Sequence, residues 1–99
     1  MERAAITEQI VRAVRRHMPL AHYRLFYFGS RAAGCATPRS DYDVGIQAGA
    51  PVPGEVIVKI EWDLDEIPIL QKIDLVDFHN VSASFTKRAM QAIQVIDER

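Results

Sequence analysis

The run Tyr23-Arg24-Leu25-Phe26-Tyr27-Phe28 leads into Gly29-Ser30, and ten residues further on comes Asp41-Tyr42-Asp43-Val44-Gly45-Ile46-Gln47. The first six residues are aromatic or apolar at nearly every position, which suits a strand covered on both faces, and Gly29 closes it. The second run alternates. Tyr42, Val44 and Ile46 share one face while Asp41, Asp43 and Gly45 share the other, a period of two that predicts a strand from about Tyr42 to Gln47. Between the two strands, residues 29–40 are rich in small and turn-forming types, with room for one helical turn around Ala32 and Ala33.

Working outward, Ile6, Ile10, Val11, Val14 and Met18 lie on one helical stripe that leaves Arg12, Arg15 and Arg16 largely in water. Pro19 ends that helix at or near Met18. On the other side, residues 49–54, with Pro51 and Pro53, form a loop. Apolar positions 56, 57, 60, 64 and 67 predict a helix over 55–66 that stops before Pro68. Trp62, Ile57 and Val58 exceed what a single stripe buries, so this helix either offers an interface or lies under a neighbouring loop. A third strand is expected at Lys72–Phe78, with Ile73, Leu75 and Asp77 on one face and Asp74, Val76 and Phe78 on the other. Ser82 or Ser84 then caps a last helix carrying Phe85, Ala89, Ile93 and Ile96. The expected order, α-β-(turn)-β-α-β-α, is an α/β (α+β) chain: one domain over residues 1–99, a small mixed sheet backed by helices on one side.

Composition narrows the chemistry. The 99 residues are 48% hydrophobic, enough for one core in a chain that buries roughly 60–70% of its unfolded surface. Twelve basic residues against thirteen acidic ones give a net charge of −1, so there is no overall field to hold nucleic acid or an anionic membrane, and any anion must be gripped locally. A lone Cys35 makes no internal disulfide. No run approaches the ~20 apolar residues of a membrane span, and the N-terminus has no apolar leader segment, so the expectation is a cytoplasmic protein.

Asp41 and Asp43 leave one face of a strand about 6.6 Å apart along the backbone, at ~3.3 Å per residue. Paired carboxylates repel unless a cation joins them. Hard divalent ions such as Mg²⁺ prefer these oxygens and keep positions free for phosphate. A third acid is wanted, and Asp74 alternates onto a strand that can lie beside the second. Asp77 is close enough for a slip of register to exchange the two, though a strand-end role suits it better. Upstream, the backbone N–H groups at Gly29-Ser30 and the Ser30 hydroxyl are suited to cradle phosphate oxygens. Donors meet phosphates, and acids hold the metal that neutralises them.

Gly29-Ser30, ten residues, then Asp41-Tyr42-Asp43, with Arg31, Ala32 and Gly34 after the Gly-Ser pair and Ser40 before the first acid, resembles the minimal nucleotidyltransferase (MNT) family of the polymerase-β-like superfamily. Ile73-Asp74-Leu75-Val76-Asp77 is similar to that family's third-acid strand, and the likeness spans nearly the whole chain. It implies the polymerase-β-like nucleotidyltransferase fold. It also implies ATP as substrate, with Gly29 and Ser30 contacting the triphosphate and Asp41, Asp43 and Asp74 forming the catalytic set that binds Mg²⁺, two ions in number. Asp74 would act as general base toward the acceptor hydroxyl. Members of the family are commonly antitoxins paired with a HEPN-domain RNase toxin, and they transfer AMP from ATP to a tyrosine of that toxin. A HEPN-type protein partner is therefore expected, with homo- or hetero-oligomers both open. Two departures stand out: Ala33 occupies a position where members often carry arginine, and Cys35 one where they carry threonine.

Other readings are weaker. Gly29 to Gly34 matches half of a phosphate loop of the Walker type, but Cys35-Ala36 replaces its Lys and hydroxyl. His17, His22 and His79 have no paired-ligand spacing for zinc. Arg12 and His17 share the R-x4-H spacing of HEPN RNases, with Pro19 where that motif has tyrosine. Arg31 and Arg39 flank the bend as phosphate contacts or plain surface charges. The remaining competitors are a non-catalytic module that neutralises its partner by covering it, and nucleotidyl transfer to a small molecule or an RNA end. For RNA, no basic stripe is present.

Overall fold

The computed structural model describes residues 1–99. In chain order it contains α1 (Arg3–His17), β1 (Tyr23–Phe28), α2 (Ser30–Ala33), β2 (Tyr42–Ala48), α3 (Gly54–Asp65), β3 (Ile73–Asp77), α4 (Ala83–Ala89) and β4 (Gln94–Glu98). The sheet order is β3-β2-β1-β4, with β2 antiparallel to β1 and parallel to β3. The sheet is therefore mixed, and α3 serves as the crossover between its parallel pair.

α1 forms because its stripe has a face to bury. Ile6, Ile10, Ala13 and Val14 are buried, Arg15, Arg16 and His17 sit in the last turn where cations oppose the helix dipole, and the Met18 N–H closes the end on Val14 O. Leu25, Tyr27, Tyr42, Val44 and Ile46 meet this stripe from the sheet, and Ile60 and Leu64 of α3 complete the main core. Polar ties then fix the layers. Thr7 and the Tyr27 hydroxyl are 2.7 Å apart, and Asp63 of α3 lies 2.8 Å from His17 and 3.2 Å from Arg16. On the outer side of α3, Val58 and Trp62 stand exposed, while Ile57 packs against the core.

Two expectations are corrected. Residues 94–98 are a strand, not the end of a helix: α4 stops at Ala89, and β4 pairs antiparallel with β1. The spacing of Phe85, Ala89, Ile93 and Ile96 is helical, but a longer helix would leave one edge of β1 without backbone partners, and closing that edge wins. Tyr23 and Arg99 exchange both backbone hydrogen bonds, and Arg15 grips Asp97 with two of its nitrogens at 2.9 and 2.7 Å, holding that carboxyl below the usual range. Ile93 and Ile96 consequently pack into different clusters.

The second correction concerns layering. α1 and α3 cover one face of the sheet, but α4 covers the other. Phe26, Phe28 and Phe78 project there, and Phe85, Ala89 and Met90 close over them. Ser82 caps α4 by accepting a hydrogen bond from Phe85 N at 3.1 Å. This second cluster depends on Gly45, which lies in register with Phe26. A Cβ on Gly45 would stand 2.6 Å from both the Phe26 and Phe78 rings. Gly45→Ala is expected to destabilise the fold by about 1–3 kcal/mol through overpacking, read as a lower urea midpoint at unchanged slope.

Candidate active site

The Phe face of the sheet also carries the acids. Asp43 and Asp74 are register partners on parallel β2 and β3, and Phe28, the last residue of β1, is the partner of Asp43 on its other side. Their face follows from the period of two: Tyr42 and Val44 turn to the main core, so Asp43 turns away from it. Burial, reinforced by the charges of Asp74 and then Asp41, pushes the Asp43 carboxyl pKa above its ordinary value. Its oxygens receive no hydrogen bond from the protein.

Asp41 precedes β2 and is exposed. One of its oxygens, Oδ1, accepts the backbone N–H of Lys72 at 3.0 Å, which turns it toward the start of β3. Asp74 Oδ1 is 3.1 Å from Lys72 Nζ, and that contact raises the lysine pKa. No three His, Cys, Asp or Glu side chains stand in an arrangement that encloses a metal ion. Asp77 points the other way. It accepts Val52 N at 2.8 Å, His79 N at 2.9 Å and Asn80 Nδ2 at 3.3 Å, so it ties the loop before α3 to the end of β3.

Gly29 lies against Asp43. Its φ of 71° and ψ of −151° suit glycine alone, and a Cβ there would overlap Asp43 Oδ2. Ser30 follows at the start of α2, half-buried, its hydroxyl free of protein partners. Arg31 is committed elsewhere: it donates to Ser40 O and its guanidinium lies 3.8 Å over the Tyr42 ring. Cys35 is exposed, its thiol directed at Ser30 O. Lys72 is a participant that the sequence reading passed over. Its signal was its place two residues before Asp74, on the same strand face.

A nucleotide-handling class of domain is what this fold defines: a mixed sheet with a Gly-Ser bend at the end of one strand and acids at the start of the next two. Over residues 8–99 the sequence matches the family model described as Polymerase beta, Nucleotidyltransferase, and the chain belongs to that family. No curated protein matches it. Among solved structures, it is similar to a toxin-antitoxin with AMP-PNP, at 21% identity and a TM-score of 0.69 over 94% of this chain and 73% of that one. It is similar also to a tri-AMPylated Shewanella oneidensis HEPN toxin in complex with MNT antitoxin, at 18% identity and TM-score 0.69 over 99% and 74% of the two chains. A third is the toxin-antitoxin MntA-HepT, at 18% identity and TM-score 0.67 over 98% and 74%. At these identities the likeness establishes the fold. No helix is long and apolar enough to cross a membrane.

Proposed function

We propose that residues 1–99 form one nucleotidyltransferase domain that transfers AMP from ATP to a tyrosine hydroxyl of a HEPN-type partner, thereby acting as its antitoxin. The observation that carries this reading is the register pairing of Asp43 with Asp74 beside the Gly29-Ser30 bend. In support of the partner, the similar solved structures include a tri-AMPylated HEPN toxin in complex with MNT antitoxin.

The donor set fits Mg²⁺ in kind. Asp41, Asp43 and Asp74 offer only carboxylate oxygens, the ligands a hard cation prefers, and burial, with the charges of Asp74 and Asp41, holds the Asp43 pKa above its ordinary value. These three would hold the metal, and the ion when bound supplies charge neutralisation to the phosphates. Ser30 and the main chain at Gly29 hold the triphosphate. Asp74 takes the proton from the acceptor hydroxyl, whose oxygen bonds to the α-phosphorus as the bond to pyrophosphate breaks.

A second reading, neutralisation by binding alone, is favoured by the turn of Asp41 toward Lys72 N, which keeps the acids from closing on a common point. Labelled ATP, Mg²⁺ and the HEPN-type product of a neighbouring gene separate the two. The wild type is expected to label a partner tyrosine, and Asp41→Asn with Asp43→Asn to label none. Neutralisation that persists in the double variant, with no label from the wild type, would establish the binding reading instead.

A further inference from the structure

α3 buries one side and presents the other to solvent. Ile60 and Leu64 are buried and Val56 and Ile57 pack against the core, while Trp62 is 66% exposed and Val58, one turn before it, 43%. The chain's one tryptophan thus keeps most of its large apolar surface in water. The exposed charged residues of the same helix and its C-terminal cap are Glu55, Lys59, Glu61, Asp65 and Glu66, four acids against one base in a chain whose net charge is only −1. None of the five is in an ion pair, whereas Asp63, on the side turned to α1, is held by Arg16 and His17.

Charge decides what covers this face. A second copy fits it poorly: a two-fold contact lays the same patch against itself, and one lysine does not neutralise four facing acids. Nucleic acid and anionic membranes are repelled by the same charges. We infer that the outer face of α3 docks a different protein, through an apolar surface rimmed by lysine and arginine, with Trp62 as the central anchor. Tryptophan is among the residue types that dominate binding energy at such contacts, and surrounding acids steer a basic partner toward it. The inference deepens the antitoxin reading and rests on it for the partner's identity: this face holds the HEPN-type protein that the acids modify. α3 covers the side of the sheet opposite the one onto which Asp43 turns, so a protein seated there leaves the Gly29-Ser30 bend open. β3 is an edge strand and carries Asp74, so the docked protein reaches the acids around that edge. Holding and transfer are thus served by different faces, and either can be removed without the other.

Binding kinetics with the HEPN-type product of the neighbouring gene, at low and moderate salt, test this on the wild type, Trp62→Ala, Glu61→Lys with Asp65→Lys, and Val95→Ser. Val95 is as exposed as Val58 but lies on β4, at the opposite edge of the sheet from β3. Trp62→Ala is expected to weaken the complex about thirty-fold or more, mainly through faster dissociation, with melting temperature and AMP-PNP affinity unchanged. The double lysine variant is expected to associate about ten-fold more slowly at low salt, and to lose the decline of association rate with salt that the wild type shows. Val95→Ser binds as the wild type does. Normal binding by Trp62→Ala overturns the inference, and so does a wild-type association rate that rises with salt. Equal loss of partner and AMP-PNP binding in Trp62→Ala would assign α3 to the nucleotide site instead. A wild-type dimer that Trp62→Ala dissociates would give the face to a second copy. If any of these results comes while the wild type still labels its partner, only the docking face falls. A wild type that neither binds nor labels the HEPN-type protein removes the antitoxin reading as well.

Discussion

Asp43→Asn is expected to lower AMP transfer by about 10³-fold or more, as loss of a metal-holding carboxylate does, while raising the melting temperature of the metal-free protein. The two effects share one cause. Burial, with Asp74 and Asp41 nearby, raises the Asp43 pKa above the 3.8 of an ordinary aspartate. Between that value and the raised one, the folded chain binds a proton that the unfolded chain has released, so stability falls as pH rises through this window. The deficit then persists at neutral pH, where the folded state carries a charge it holds poorly. Asparagine removes the charge and nearly keeps the shape. Because Asp43 is partly solvent-facing, the gain is small, about 2–4 °C for a shift of about 0.5 kcal/mol in a domain of this size. Mg²⁺ reverses the order: at about ten times its dissociation constant it should stabilise the wild type by roughly 1.4 kcal/mol, and the variant by much less. Melting curves from pH 3.5 to 7, with and without MgCl₂, check both signs. A variant that melts below the wild type without metal would contradict the account of Asp43 as a strained charge.

The parts of this arrangement that were legible in the sequence are those set by local period. Alternation around Asp43 and the aromatic run before Gly29 placed β1 and β2 and put the acids on one face. The same alternation separated Asp74 from Asp77, and the structure gives a physical reason for the difference, since Asp77 is occupied by the backbone of Val52 and His79. What escaped was non-local. The stripe Phe85, Ala89, Ile93 and Ile96 is helical by spacing, and only the open edge of β1, a tertiary fact, turns its end into β4. An amphipathic stripe also says that a helix buries one side without saying which face of a sheet receives it, so α4 arrived opposite α1 and α3. The turn of Arg31 onto Tyr42 was likewise invisible, because a strand–loop–strand reading does not say to which side a long side chain folds.

Gly29→Ala tests whether that bend supports the acids or merely precedes them. Two costs combine at this residue. A φ of 71° with ψ of −151° is a region alanine occupies only with strain, about 1–3 kcal/mol. The added Cβ would also overlap Asp43 Oδ2, so Asp43 must move away from its place opposite Asp74. AMP transfer is expected to fall about 10²- to 10³-fold, since small misplacements at a reacting centre are costly. Lost stability alone could lower activity, and Gly34→Ala controls for it. Gly34 has a similar φ of 79° at the other end of α2, but a Cβ there meets nothing within 4 Å. It shares the positive φ without the collision. Gly34→Ala should therefore lower the melting temperature while keeping most of the transfer rate at a temperature where both variants are folded. If the two alanine variants lose transfer equally, contact between Gly29 and Asp43 is not what positions the carboxylate. If only Gly29→Ala loses it, the main chain at the bend and the acid on β2 act as one unit, because the absence of a single methyl group lets them touch.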